Sequence, residues 1–85
     1  MSNQLKNRRI LVTGGAGFIG SALIETLLSL ENEVVCLDNL ATGKLENITD
    51  FMHNKNFSFV EGDIRNLADC KKAADGVDLI FHEAA

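Results

Sequence analysis

Apolar residues along the chain alternate between compact runs and spaced repeats. Ile10-Leu11-Val12, Glu33-Val34-Val35-Cys36-Leu37, Phe57-Ser58-Phe59-Val60 and Val77-Asp78-Leu79-Ile80-Phe81 have the length and the β-branched or aromatic character of strands. Between the first two, Ile19, Leu23, Thr26, Leu27 and Leu30 recur at helical spacing. Ile24 and Leu28 lie off that face, as expected where a helix is flanked by neighbours as well as packed on a sheet. The pattern predicts a helix over 17–30, with Asn32 placed to take the left-handed conformation beyond its end. Leu45, Ile48, Phe51 and Met52 predict a short amphipathic crossover helix over 44–52, trailed by a solvated loop holding His53 and Lys55. Asn66 is a good N-cap for a further helix carrying Leu67, Cys70 and Ala74 on one face, and Gly76 closes it.

Strand, helix, strand, crossover, strand, helix, strand implies parallel pairing with right-handed connections. The expected fold class is therefore α/β, a parallel sheet with flanking helices in strand order 3-2-1-4, with its topological switch between strands one and four. Ligands of such sheets gather beyond the carboxyl ends of the strands, and the candidate chemistry stands there. Thr13-Gly14-Gly15-Ala16-Gly17-Phe18-Ile19-Gly20 joins the first strand to the first helix. Gly15, Gly17 and Gly20 satisfy G-x-G-x-x-G, while Gly14, Gly17 and Gly20 satisfy G-x-x-G-x-x-G, and both readings put an anion at one place. One early glycine permits the tight turn, Gly17 lets the backbone approach a pyrophosphate, and Gly20 lets helix and strand pack closely. The free amides and positive dipole end of the helix then face that anion. No Lys-Ser/Thr pair follows the glycines, which argues against a nucleoside triphosphate loop.

A lone glycine motif would often be a plain turn. A second signal opposes that here: the second strand ends in Asp38, 18 positions beyond Gly20. A dinucleotide fold places at about that distance the carboxylate that accepts from the adenosine ribose hydroxyls. A 2′-phosphate would be repelled there, and no arginine stands in the turn to neutralise it, so NAD is expected over NADP. Asp63 again stands at a strand's carboxyl end, and Ala84-Ala85 follow the fourth strand with side chains small enough to leave room for a cofactor.

Composition narrows the partners. The 85 residues are 46% hydrophobic and 24% charged, ordinary for a globular chain. A formal net charge of −4 offers no basic footprint for nucleic acid or an anionic membrane surface. No run approaches the roughly 18 apolar residues of a membrane span, and the glycines and Glu25 interrupt any resemblance to a signal peptide, so a cytoplasmic location is expected. Cys36 and Cys70 fit no metal or redox spacing and read as core residues. The polar segment 2–9 reads as a leader whose Lys6, Arg8 and Arg9 are solvated.

Four segments taken in order resemble one family: Thr13 to Gly20, Asp38-Asn39 followed by Thr42-Gly43, Gly62-Asp63-Ile64, and the H-x-A-A run at His82 to Ala85. Together they resemble the extended short-chain dehydrogenase/reductases, and among these the NAD-dependent sugar-nucleotide epimerases and dehydratases. The similarity is greatest to UDP-N-acetylglucosamine and UDP-glucose 4-epimerases of polysaccharide biosynthesis. The resemblance implies a Rossmann-type fold in which Gly14, Gly17, Phe18, Ile19 and Gly20 hold the pyrophosphate of NAD. It implies that Asp38 and Asn39, with Gly43 nearby, line the adenosine ribose. Asp63 would accept from the adenine amino group, Ile64 would pack on the base, and Ala84 and Ala85 would border the nicotinamide. It implies nothing specific for Glu83, and His82 is expected to be a buried hydrogen-bonding residue rather than an acid or base.

The same resemblance implies a UDP-sugar substrate, a homodimer for the full-length protein, and a catalytic Ser/Thr with a Tyr-x-x-x-Lys pair lying downstream of these motifs. This sequence contains no tyrosine, so no catalytic residue is assigned within it. The expectation is the first half of a Rossmann domain, residues 1–85, from the amino-terminal part of a longer enzyme. A dinucleotide-binding or regulatory module without catalysis, a dehydratase or decarboxylase of the same family, and a small self-sufficient nucleotide-binding protein are the alternatives.

Overall fold

The computed structural model describes residues 6–41 and 43–83. In chain order they form β1 (Arg9–Thr13), α1 (Phe18–Ser29), β2 (Glu33–Asp38), β3 (Phe57–Glu61), α2 (Leu67–Ala74) and β4 (Leu79–His82). The strands make one all-parallel sheet in the order β3-β2-β1-β4, which is the expected topology. Val12 lies level with Cys36 and Phe81, and Leu11 with Val35 and Ile80, so alternate residues of each strand serve opposite faces. On one face Ile10, Val12, Val34 and Cys36 pack with Ile24, Leu27, Ile48 and Phe57; on the other, Leu11, Val35 and Leu37 meet Ala73 of α2. Burial on both faces explains why the central strands are continuous apolar runs. Among the described residues no helix is long and apolar enough to cross a membrane.

Several local expectations are corrected. The sheet-facing line of α1 is Gly20, Ile24 and Leu27, not the line through Ile19 and Thr26; Ile24 is fully buried and Ile19 exposed. The helix must turn its glycine toward the glycine loop, because a Cβ at Gly20 would stand 2.5 Å from the Gly14 carbonyl oxygen. The left-handed residue after α1 is Glu31 (φ 66°). Its amide donates to the Leu28 carbonyl and that of Asn32 to Leu27, the paired bonds of a Schellman ending. Asn32 is instead buried, its Nδ2 donating to Leu27 and its Oδ1 accepting from the Arg8 amide.

The 44–52 segment is not an α-helix but two 3₁₀ turns, Leu45–Asn47 and Thr49–Phe51, separated by Ile48. Leu45, Ile48 and Phe51 recur every three residues, a period that a 3₁₀ turn satisfies as well as an α-helix over so short a stretch. In α2 the buried residue is Ala73, with Cys70 and Ala74 packed beside it as expected, whereas Leu67 is exposed. Gly76 (φ 71°) occupies the third position of a type II turn closed by the Val77 amide on the Ala74 carbonyl. The last strand begins at Leu79; just before it the Asp78 amide donates to the Arg9 carbonyl, while the Arg9 amide is taken by the Asp78 carboxylate in place of a backbone carbonyl. Arg9 is not simply solvated: its Nε donates to the Asp75 carbonyl, and a guanidinium nitrogen lies 3.6 Å from Glu33.

Candidate cofactor-binding site

β1 delivers the chain into Gly14 (φ 72°), whose amide donates to the Leu37 carbonyl at the end of β2. The loop then closes on itself through the Gly17 amide and the Gly14 carbonyl, and α1 starts at Phe18. Its N-cap is Gly17, no side chain caps its first amides, and its first turn carries no acidic residue. The opening N–H groups of a helix have no acceptor within it, so those at Phe18, Ile19 and Gly20 are left for an outside acceptor, and the helix dipole favours an anion there. The side chains of Phe18 and Ile19 point to solvent, 86% and 70% exposed.

The three motif glycines do different work. Added Cβ atoms at Gly15 and Gly20 would come within 2.8 Å of protein atoms, Cys36 Sγ and Ile24 in the first case and loop backbone in the second. At Gly17 an added Cβ would meet only the Gly14 carbonyl, at an ordinary 3.4 Å. Packing therefore demands glycine at 15 and 20 but not at 17, a residue that lines the cavity at the carboxyl end of the sheet.

Asp38 ends β2 beneath the loop and is buried, with both carboxylate oxygens engaged. Oδ2 accepts from the Ala16 amide at 2.9 Å and Oδ1 from the Leu40 amide at 2.7 Å. Each oxygen has a further lone pair, which is what a ribose hydroxyl would use. Asn39 folds its Oδ1 onto the Ala41 amide, and the turn forces Leu40 into the left-handed region (φ 62°), a rare position for a bulky residue. Gly43 is a packing glycine, since a Cβ there would lie 2.8 Å from the Ala16 carbonyl carbon and 2.9 Å from Asp38 Oδ2.

At the end of β3, Asp63 is gripped by Arg65, with guanidinium–carboxylate contacts of 2.8, 3.1 and 3.2 Å and the Arg65 amide on Oδ1. The side-chain hydrogen bonds from Arg65 lead in holding its carboxyl down from 3.8 to about 2, and its backbone amide adds to them. Because the folded-state value is depressed, the Asp63 pairing contributes above about pH 4 and is lost as pH falls toward 2. The carboxyl carbon of Asp63 followed by NMR is expected to titrate near 2 and, in Arg65→Ala, to move up toward 3.8; an unchanged midpoint would refute the pairing. Burial, with the Asp38 charge adding to it, pushes the Cys36 thiol up to about 12, so this cysteine is an inert packing group.

These elements surround one cavity of about 360 Å³ at the carboxyl end of the sheet, lined among others by Gly14, Gly17, Asp38, Asn39, Gly43, Asp63 and Ile64. That is the lower end of the 300–1,000 Å³ typical of ligand pockets. Gly20 lies beneath the loop rather than on the wall. Ala84 and Ala85, expected beside the nicotinamide, lie outside the described residues, as does Thr42. Glu83 also lines the cavity, and His82 Nδ1 pairs with Thr13 Oγ1 at 2.8 Å but is exposed rather than buried. An open helix N-terminus, a cavity-lining glycine and carboxylates at two strand ends fit the pyrophosphate and adenosine of a dinucleotide.

Sequence reasoning missed three supports of this site: Arg65, Asn47 and Asp69. Asp69 accepts from the Asp63 amide at 3.0 Å, and Gly62 leaves space for it. Its position three residues after the N-cap Asn66, whose side chain accepts from the Asp69 amide, is the signal that could have revealed it.

Residues 10–85 match the model of the NAD dependent epimerase/dehydratase family. The chain belongs to that family, and NAD is the family's cofactor. It is 42% identical over 79 residues to UDP-glucuronic acid decarboxylase 1 of Arabidopsis thaliana, covering 93% of this chain and 17% of the relative. To a putative UDP-glucose 4-epimerase of Methanocaldococcus jannaschii it is 44% identical over 77 residues, 89% of this chain and 24% of the relative. Among solved structures, epimerase Mth375 of Methanothermobacter thermautotrophicus superposes with a TM-score of 0.87 at 36% identity, over 96% of this chain and 24% of that one. WbmG of Bordetella bronchiseptica, solved in complex with NAD, gives 0.83 at 36% identity, over 94% and 26%. The chain thus spans about a quarter or less of the length of the proteins it matches.

Proposed function

We propose that this chain is the NAD-binding portion of a cytoplasmic nucleotide-sugar 4-epimerase, the first part of its Rossmann domain, acting on a UDP-hexose or UDP-N-acetylhexosamine. The observation that carries the reading is the convergence of the uncapped α1 N-terminus, Gly17, Asp38 and Asp63 on one cavity in a member of this family. Bound NAD would supply a hydride acceptor that takes the hydrogen from the sugar carbon and returns it. The residues of this chain bind and orient: backbone amides at 18–20 hold the pyrophosphate, Asp38 and Asn39 the adenosine ribose, and Asp63 and Ile64 the adenine. Ala84 and Ala85 border the nicotinamide. The proton-moving tyrosine and lysine of the reaction belong to the remainder of the enzyme, which works as a homodimer.

A second reading, decarboxylation of a UDP-sugar acid, draws support from the 42% identity to a UDP-glucuronic acid decarboxylase. The intact protein incubated with NAD and UDP-glucose, UDP-N-acetylglucosamine or UDP-glucuronic acid separates the two. Epimerisation is expected to yield the 4-epimer of a neutral sugar with no net NADH, read by NMR of the anomeric protons. Release of carbon dioxide from UDP-glucuronic acid alone would replace the first reading by the second, and NAD binding without turnover of any of the three would reduce the protein to a binding module.

A further inference from the structure

The peptide units on either side of Ala16 are held from three directions. Asp38 Oδ2 accepts its N–H at 2.9 Å, while its carbonyl oxygen accepts from the Lys44 amide at 3.0 Å and from Asn47 Nδ2 at 2.8 Å. Ala16 is itself fully buried, and Gly43 lies so close over it that no Cβ could be accommodated there. Two of the three donors and acceptors come from β2 and from the first residue after Gly43, whereas Asn47 reaches in from the 3₁₀ segment 31 residues away. The carbonyl of Ala16 belongs to the same peptide plane as the Gly17 amide, which closes the loop on Gly14 and sets where α1 begins. Both lone pairs of that carbonyl are thereby used, and the plane cannot rotate without giving up hydrogen bonds at both its ends.

We propose that Asn47 is a positioning residue for the pyrophosphate: by fixing the Ala16–Gly17 peptide plane from the crossover segment, it presets the opening amides of α1 before an anion arrives. The inference rests on the dinucleotide reading above. Holding the amides in advance removes an ordering cost that the ligand would otherwise meet on binding. Asn47 lines no part of the cavity, so its effect is indirect and confined to the part of the ligand that the loop grips. Adenosine, which carries no phosphate, does not sense it; ADP does.

The test is titration of the intact protein, wild type, Asn47→Ala and Asn47→Leu, with ADP and with adenosine, at a temperature well below unfolding of each. Asn47→Leu keeps the branched shape and number of side-chain heavy atoms while removing the amide that donates to Ala16, so it serves if the alanine variant fails to fold. ADP affinity is expected to fall by about 2- to 12-fold, the range that one hydrogen bond spans, with adenosine affinity unchanged. Equal ADP affinity in wild type and variants, or an equal fall for ADP and adenosine, overturns the proposal. A wild-type protein that binds neither ADP nor NAD would overturn the dinucleotide reading itself, a result visible without any variant.

Discussion

Gly17→Ala is expected to leave the fold standing and to weaken NAD at least tenfold, whereas Gly20→Ala is expected to lower stability directly. At Gly17 the backbone (φ −76°, ψ 172°) is open to any residue and the new Cβ has ordinary contact distances, so stability should change by less than about 1 kcal/mol. Gly17 lines the cavity, so on the proposed dinucleotide reading its methyl would crowd the pyrophosphate, and a tenfold loss corresponds to about 1.4 kcal/mol. At Gly20 the methyl meets the Gly14 oxygen at 2.5 Å and the Gly15 Cα at 2.8 Å. Both are backbone atoms with no rotamer to yield. Overpacking of this kind costs about 3 kcal/mol, and removing a helical glycine returns about 1 kcal/mol of it. Denaturant unfolding and NAD titration of the two variants measure the separation; if Gly17→Ala were as destabilised as Gly20→Ala, the assignment of separate roles would fail.

Asp38→Ala is expected to have two effects that must be told apart. Its carboxylate holds the Ala16 and Leu40 amides, and a buried donor left without an acceptor costs about 1–3 kcal/mol. Loosening the loop would weaken every ligand with a pyrophosphate, NADP included. The ribose contact would be lost on top of that, about 1.5–3 kcal/mol for hydrogen bonds to a charged group, and only for NAD, because the 2′-phosphate of NADP meets the native carboxylate as like charge. The preference for NAD over NADP should therefore collapse in the variant, because the loosened loop weakens both cofactors while only NADP is relieved of a repulsion. Calorimetric titration of both cofactors against both proteins reads the ratio. A ratio unchanged by the substitution, or near one in the wild type, would remove Asp38 from the ribose.

What could be read from the sequence was whatever rests on short-range spacing. The glycine loop between a strand and a helix, Asp38 at the end of the next strand and the strand order all follow from local runs and from the handedness of parallel connections. The face of α1 did not, because Ile19, Leu23, Ile24, Leu27 and Leu28 surround most of the helix and only the demand of Gly20 for close approach selects among them. The 3₁₀ turns were hidden because seven residues do not distinguish a period of 3 from 3.6. Arg65 and Asn47 were invisible for a different reason: a polar residue in a loop reads as solvated until the structure shows the carboxylate or carbonyl it faces.

The central position of β1 sets an order of assembly. Ile10 must find Val34, 24 positions away, and also Leu79, 69 positions away. Closing the longer loop costs about 1 kcal/mol more in chain entropy by logarithmic scaling. The β1-α1-β2 unit, which contains the glycine loop and its Asp38 tie, is thus favoured to consolidate first, with β4 joining a sheet in which the loop is already held by Asp38. Early formation of this unit also means that a nucleotide could act as a template, stabilising the nascent half-sheet before the more distant pairing is made.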